Sequence, residues 1–228
     1  RDYYASRGLG DVYKRQVGGQ MTLGDVHNPI RVSIQQFYGI EINDFAVTVA
    51  KTALWIAESQ MMEETKNIVY GFNDDFLPLK TYVNITEGNA LRLDWDDVVP
   101  ASELSYIMGN PPFVGHKNVS LEQKNDMKRI FNNKQGRLDY VSAWYMLASR
   151  YIQNSKIECA FVSTNTVVQG THLESLWHTL LNDYHVKINF AYNTFKWESE
   201  ASQKAAVFCV IIGFSTCLLY TSPSPRDA

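Results

Sequence analysis

Cysteine, positive charge and long apolar runs are all in short supply in this 228-residue chain. The three cysteines, Cys159, Cys209 and Cys217, have no CxxC spacing and no histidine cluster beside them, which excludes a disulfide framework and a structural zinc site. A reduced, cytosolic protein fits that usage. No apolar stretch approaches the roughly 20 residues needed to cross a bilayer, so a membrane-spanning chain is excluded as well. With 21 Lys and Arg against 24 Asp and Glu, the formal net charge is -3. Affinity for nucleic acid rests largely on neutralising phosphates, so a free-standing nucleic-acid binder is excluded and any such grip must come from another region. Repeats and low-complexity tracts are absent too. What remains, 45% hydrophobic with 20% charged residues, is the composition of a globular α/β domain or a piece of a larger one.

Both ends read as foreign to the middle. The opening RDYYASRGLGDVYKRQ and the closing CLLYTSPSPRDA carry no apolar periodicity and resemble translated sequencing-adapter read-through. Residues 1–16 and 217–228 are therefore expected to be non-native tails around a domain spanning 17–216. Inside it, Phe37 to Ile40 is a short apolar run closed by Glu41, and Asn43 or Asp44 can cap the following helix by accepting from its first free amides. Through about Met62 that helix carries Phe45, Val49, Ala53, Leu54, Ile56 and Ala57 at helical spacing, an amphipathic stripe. Asn84 to Asn89 and Leu104 to Met108 predict strands, the second stopped after Gly109 by a double proline. Residues 121–133 predict a charged helix. Tyr140 to Ile152 predicts a packed one, with Val141, Trp144, Tyr145, Leu147, Ala148 and Tyr151 on a broad apolar face. Ile157 to Val162 reads as a buried strand, Leu173 to Leu181 as a helix, and Val186 to Phe195 and Ala205 to Phe214 as two strands joined by a polar loop. This alternation predicts a parallel sheet flanked by helices, with an antiparallel final strand.

The sharpest chemical signal is Asn110-Pro111-Pro112-Phe113, set directly after the apolar run LSYIM. Ligands of an open α/β sheet sit beyond the carboxyl ends of its strands, and the tetrapeptide is placed at one. The Asn110 side-chain oxygen and the Pro111 carbonyl can both accept hydrogen bonds from one planar amino group, orienting it and raising electron density on its nitrogen. The two prolines fix φ and remove competing donors, while Phe113 can stack on a flat ring. A base inside a duplex cannot reach such a pocket and must be swung out of the stack. Glu41, in YGIEIND, is the second signal: an acid ending the second strand of a nucleotide-binding sheet can accept both ribose hydroxyls. Asn89, in EGNALRLDW, is the third, a polar side chain after a strand that can meet an adenine edge, or equally a turn asparagine beside Gly88.

Six segments then occur in a telling order: YGIEINDFAVTVAKTALWIAE, GNALRLDW, IMGNPPFVG, RLDYVSAWYMLASRYI, ECAFVSTNTVVQG and FKWESEASQKAAVFCVIIGFS. Together they resemble the γ-type amino-methyltransferases of DNA, and most of all the methyltransferase region of the MmeI-like restriction-modification enzymes of prokaryotes. The likeness covers nearly all of residues 17–215. It implies a class I, Rossmann-like α/β fold that transfers a methyl group from S-adenosyl-L-methionine to the exocyclic amine of adenine in double-stranded DNA, in the cytoplasm and without a metal. On that resemblance Glu41 with its neighbour Ile42 holds the cofactor ribose. Asn89 with Ala90 meets the cofactor adenine, although an aspartate is more usual at that position. Asn110, Pro111, Pro112 and Phe113 match the target-amine motif without departure, Asn110 also bordering the cofactor. Phe195 or Trp197 resembles the aromatic that packs on the opposite face of the extruded base, and Lys204 in the same loop either meets phosphate or is solvated. Protein glutamine and ribosomal guanine methyltransferases also use NPPY or NPPF, and a silent DNA-recognition module would keep the same fold, so these stay as alternatives.

One departure from the family stands out. Its glycine-rich loop, roughly DPACGSGNF after the first strand, has no counterpart here: Gly18 and Gly19 precede no fitting helix pattern. The family places that strand at the sheet's centre, between those ending in Glu41 and Asn110, which would leave two strands without ladder partners. The 228 residues alone are expected to be marginally stable and to bind S-adenosylmethionine poorly; micromolar binding in calorimetry would contradict this.

Overall fold

The computed structural model describes residues 32–68, 84–197 and 207–216. The expected tails at 1–16 and 217–228, together with Gly18, Gly19 and Lys204, lie outside them. The chain divides into two compact units, residues 1–90 and 91–228.

The first unit is a β-α-β arrangement. Strand β1 (Tyr38–Glu41) runs parallel to β2 (Asn84–Glu87), with Glu41 opposite Glu87, and the Gly88 amide adds a bond to the Glu41 carbonyl. Between them in sequence lies helix α1 (Asp44–Ile68). Its start matches the expected cap, since the Asn43 side chain accepts from the Ala46 amide at 3.0 Å. Its stripe matches only in part. Ala57 is buried and Ala53 and Leu54 are half-buried, but Phe45, Val49 and Ile56 are 74%, 44% and 54% exposed, while Val47, Met61, Met62 and Thr65, outside the stripe, are buried with Ala57. At about 100° per residue the two sets fall on opposite sides of the helix. Both sides are apolar, so periodicity finds them equally well, and only packing of Met61 with Val32 and Phe37 selects the second.

In the second unit, β3 (Tyr106–Gly109), β4 (Glu158–Thr164), β5 (Lys187–Trp197) and β6 (Val207–Ser215) form one sheet in the order β3-β4-β6-β5. The β3–β4 pair is parallel, while β6 lies antiparallel between β4 and β5, as expected of the final strand. Helix α2 (Leu121–Phe131) starts with a reciprocal capping box: Ser120 Oγ accepts from the Gln123 amide at 3.2 Å, and Gln123 Oε1 accepts from the Ser120 amide at 3.0 Å. Helix α3 (Ser142–Tyr151) is the packed helix, and its Tyr145, Met146 and Ala148 are all buried. The predicted helix over Leu173 to Leu181 begins instead with a π-helical turn (Leu173–Trp177), continuing as α4 (His178–Asn182). That wider turn brings Trp177 inward, where its indole N–H donates to the Val167 carbonyl at 2.8 Å.

The core lies on one face of this sheet. Tyr145 meets Phe161, Trp177 and Phe214 at ring separations of 5.3, 5.5 and 5.5 Å, and its hydroxyl shares a 2.7 Å hydrogen bond with Ser163. Burial pushes the Tyr145 phenol up, keeping it neutral. The other face is more open, with Tyr106 and Met108 of β3 exposed. There Phe190 lies across from Gly213 in the β5–β6 ladder, and a Cβ on Gly213 would fall 2.1 Å from the Phe190 ring. The ring thus occupies the space that the glycine leaves empty. Gly213→Ala is expected to destabilise the protein by about 1–3 kcal/mol by displacing that ring. Combined with Phe190→Ala, the substitution should cost little or nothing. Urea unfolding of the four proteins of that double-mutant cycle measures the coupling, and equal costs in both backgrounds would refute it.

Candidate active site

Strand β3 delivers the tetrapeptide to the sheet's carboxyl end. Gly109 pairs with Phe161, and a Cβ there would meet the Phe161 ring at an ordinary contact distance of 3.4 Å, so the strand end lies on the aromatic core. Pro111 and Pro112 have no amide hydrogen with which to continue the ladder. Asn110 is exposed, Pro111 buried, Pro112 exposed and Phe113 half-buried.

The residues after Phe113 are tied to the start of α3. The Tyr140 amide donates to the Val114 carbonyl and the His116 amide to Asp139 Oδ1, both at 2.9 Å. Asp139 Oδ2 accepts from the Thr166 hydroxyl at 2.7 Å, and the Asp139 amide donates to His172 Nε2 at 3.0 Å. Tyr140 also reaches helix α2: its hydroxyl donates to Asp126 Oδ2 at 3.1 Å, and Asp126 in turn takes both arms of Arg92, at 2.7 and 3.3 Å. Sequence reasoning read Tyr140 to Ile152 as a packed helix and RLDYVSAWYMLASRYI as one segment of the family resemblance, and missed Asp139, Thr166 and His172 as a cluster. A lone acid just ahead of an apolar helix was the available signal.

Phe195 and Trp197 reach the same end of this sheet. Phe195 stands opposite Cys209, which stands opposite Thr164 at the carboxyl end of β4, and Trp197 stands opposite Val207. Two register shifts, between Ile188 and Phe190 and between Tyr192 and Phe195, bend β5 on the way. Phe195 is half-buried. In the first unit, Glu41, Ile42, Asn89 and Ala90 gather at the carboxyl end of the parallel β1–β2 pair, adjacent strands being about 4.8 Å apart. Glu41 Oε1 accepts from the amides of Ile42 and Asn43, at 2.9 and 3.3 Å. Ile42 is exposed, whereas Asn89 and Ala90 are half-buried. Among the described residues no group of three or more His, Cys, Asp or Glu is arranged to hold a metal ion, and no helix is long and apolar enough to cross a membrane.

His172 is 6% exposed, and burial is the main cause lowering its pKa from 6.5; nearby His116 adds to this, while Asp139 and a hydrogen bond at Gln169 oppose it. Since Nε2 already accepts the Asp139 amide, the ring is neutral with its proton on Nδ1, and the 3.7 Å approach to Asp139 Oδ2 is not an ion pair. A histidine with a depressed folded-state pKa binds its proton more readily when unfolded. Its contribution to stability is therefore complete above 6.5 and lost as the pH falls from there through the lowered value. The thermal midpoint should drop over that window. His172→Gln, which keeps an acceptor for the Asp139 amide, should flatten the drop; an unchanged slope would remove His172 as its source.

Residues 11–221 match the family described as the MmeI DNA-methyltransferase domain. DNA methyltransferase A of Bacillus subtilis (strain 168) is 47% identical over 199 residues, covering 86% of this chain and 22% of that protein. The solved structure of the type IIL restriction-modification enzyme MmeI in complex with DNA superposes with a TM-score of 0.83 at 40% identity, covering 94% of this chain and 30% of the other. The chain thus spans under a third of the length of either relative. With this match over most of its length and the tetrapeptide at the end of a parallel strand, the chain belongs to the MmeI DNA-methyltransferase domain family.

Proposed function

We propose that this domain methylates the exocyclic amine of adenine in double-stranded DNA, using S-adenosyl-L-methionine, as one part of a restriction-modification enzyme. The observation that carries the reading is Asn110, exposed at the carboxyl end of parallel strand β3 with Pro111 buried behind it and Phe113 half-buried beside it. The Asn110 side-chain oxygen and the Pro111 carbonyl accept the two hydrogens of the target amine. Neither proline contributes an amide donor to compete for those acceptors. Phe113 stacks on the extruded base, and Phe195 or Trp197, from the same end of the sheet, backs its other face. Lys204, which lies in sequence between β5 and β6, would meet phosphate.

Residues of the first unit fit the cofactor. Glu41 Oε1 is taken by two amides, while Oε2 has no hydrogen bond among the described residues and is left for ribose hydroxyls. Glu41 with Ile42 would hold the ribose, and Asn89 with Ala90 the adenine. When bound, S-adenosylmethionine supplies a methyl group on an electrophilic sulfonium. The parallel β-α-β unit and the antiparallel β6 between β4 and β5 support a class I methyltransferase fold, with the catalytic portion running from 17 to 216. The name of the Bacillus relative favours DNA over a protein or ribosomal amine, and the net charge of -3 leaves most of the grip on DNA to regions outside this chain. Buried free thiols, Cys159 and Cys209, suit a reducing prokaryotic cytoplasm.

In the full-length protein, Asn110→Ala should lower methyl transfer to duplex DNA by at least about 100-fold, the scale of losing one preorganised polar contact in a transition state, with cofactor affinity kept. Phe113→Ala should weaken the base pocket by about 1–3 kcal/mol. Labelled cofactor and stopped time points read both. Normal turnover by the Asn110 variant would refute the assignment, and unchanged steady-state constants for the Phe113 variant would refute stacking.

A further inference from the structure

We propose that Asp139 is the positioning residue for the Asn110–Phe113 tetrapeptide, setting where its two acceptors stand relative to the target amine; this rests on the reading of that tetrapeptide given above. Once the chain leaves β3, Pro111 and Pro112 have no amides, and the Val114 amide turns back to the Pro112 carbonyl at 3.1 Å. The first outside anchors are therefore the Val114 carbonyl and the His116 amide. Both go to one dipeptide: Tyr140 N–H donates to Val114, and His116 N–H donates to Asp139 Oδ1. These two bonds run in opposite directions, two residues apart on one strand and one on the other, and so hold the loop in register as well as in place.

The remaining polar atoms of Asp139 fix the dipeptide itself. Oδ2 takes the Thr166 hydroxyl, whose oxygen lies 2.8 Å from the Thr164 hydroxyl at the carboxyl end of β4, the strand next to β3. The Asp139 amide goes to His172, just before the π-helical turn. One residue thus links the loop leaving β3 and the loop leaving β4 through its side chain, and the segment after it through its amide. Asp139 is 7% exposed and pairs with no lysine or arginine among the described residues; the ring nitrogens of His116 and His172 lie 3.6 and 3.7 Å from its carboxylate. A buried carboxylate is costly for stability unless hydrogen bonds compensate it. Geometry explains its presence better than packing does, because its two oxygens accept from two separate loops at once.

The test uses single-turnover methylation of duplex DNA by the full-length protein, with KM for DNA and the thermal midpoint measured on each variant. A displacement of about 1 Å at a reacting group costs on the order of 100-fold in rate. Asp139→Ala should therefore lose on the order of 100-fold in kcat, with KM within a few-fold. Asp139→Asn, which keeps an oxygen for the His116 amide, should recover most of that loss. Thr166→Val, which removes the donor to Oδ2 together with the exposed contact to Thr164, should lower kcat while the midpoint holds, and it carries the test should Asp139→Ala not fold. Wild-type kcat in folded Asp139→Ala or in Thr166→Val would overturn the proposal. So would Asp139→Asn as slow as Asp139→Ala, since the charge itself would then be required. Asn110→Ala separates the two levels: if it methylates normally, the target-amine reading fails, whereas a dead Asn110 variant beside fully active Asp139 and Thr166 variants defeats only the positioning.

Discussion

A strand that ends in two prolines gives up two amide donors at the point where it leaves its sheet, so the chain beyond must be tied down by other groups. Here β3 leaves through Pro111 and Pro112, and the tie is made two and four residues later, at Val114 and His116, by the Asp139–Tyr140 dipeptide. Much of the second unit is arranged around that dipeptide. Helix α3 begins just after it, helix α2 supplies Asp126 to the Tyr140 hydroxyl, and the chain after β4 supplies Thr166 and His172. Arg92 then joins the segment following β2 to the same Asp126. Backbone hydrogen-bond accounting in the proline loop thus draws in four otherwise separate segments.

Beneath this polar layer the aromatic core gives it a fixed base. Phe161 carries the end of β3 on its ring and packs against Tyr145 and Phe214, so the strand end is referenced to α3 and β6 together. Tyr145 belongs to the same helix whose first residues follow Asp139. A close-packed interior transmits small displacements instead of absorbing them. The position of Asn110 is therefore coupled to α3 by two routes, one apolar through Phe161 and one polar through Asp139.

Most elements were legible in the sequence because each carries a local signal. Asn43 announced α1 and Gly109-Asn110-Pro111-Pro112 announced the end of β3, since caps and prolines act within a few residues. The alternation of strands and helices gave the parallel pairs and the antiparallel last strand. The buried side of α1 was not legible, because Phe45, Val49 and Ile56 repeat as regularly as the residues that pack, and periodicity measures only repetition. Nor was the π-helical turn at Leu173–Trp177, which a helical pattern does not distinguish from an α-helix. At the site the tetrapeptide could be read directly, as four adjacent residues. The cluster of His116, Asp139, Thr166 and His172 spans 57 positions and shares no periodicity, so only the folded chain brings it together.

If the target is an aromatic amine, the neutrality of both acceptors matters. The lone pair of such an amine is spread into its ring, and it becomes available to an electrophile only as the nitrogen moves toward a tetrahedral shape. Acceptors placed for the tetrahedral hydrogens hold that shape more tightly than the planar one, and only such a difference lowers a barrier. That discrimination depends on acceptors that do not follow the amine as it changes. The Pro111 carbonyl meets the requirement through its own ring and that of Pro112, which lock φ on both sides of it, and through the burial of Pro111. Asn110 has no such restraint of its own, being exposed. Its backbone can be held only by what holds the strand and loop on either side of it, which are Phe161 beneath Gly109 and Asp139 beyond Phe113.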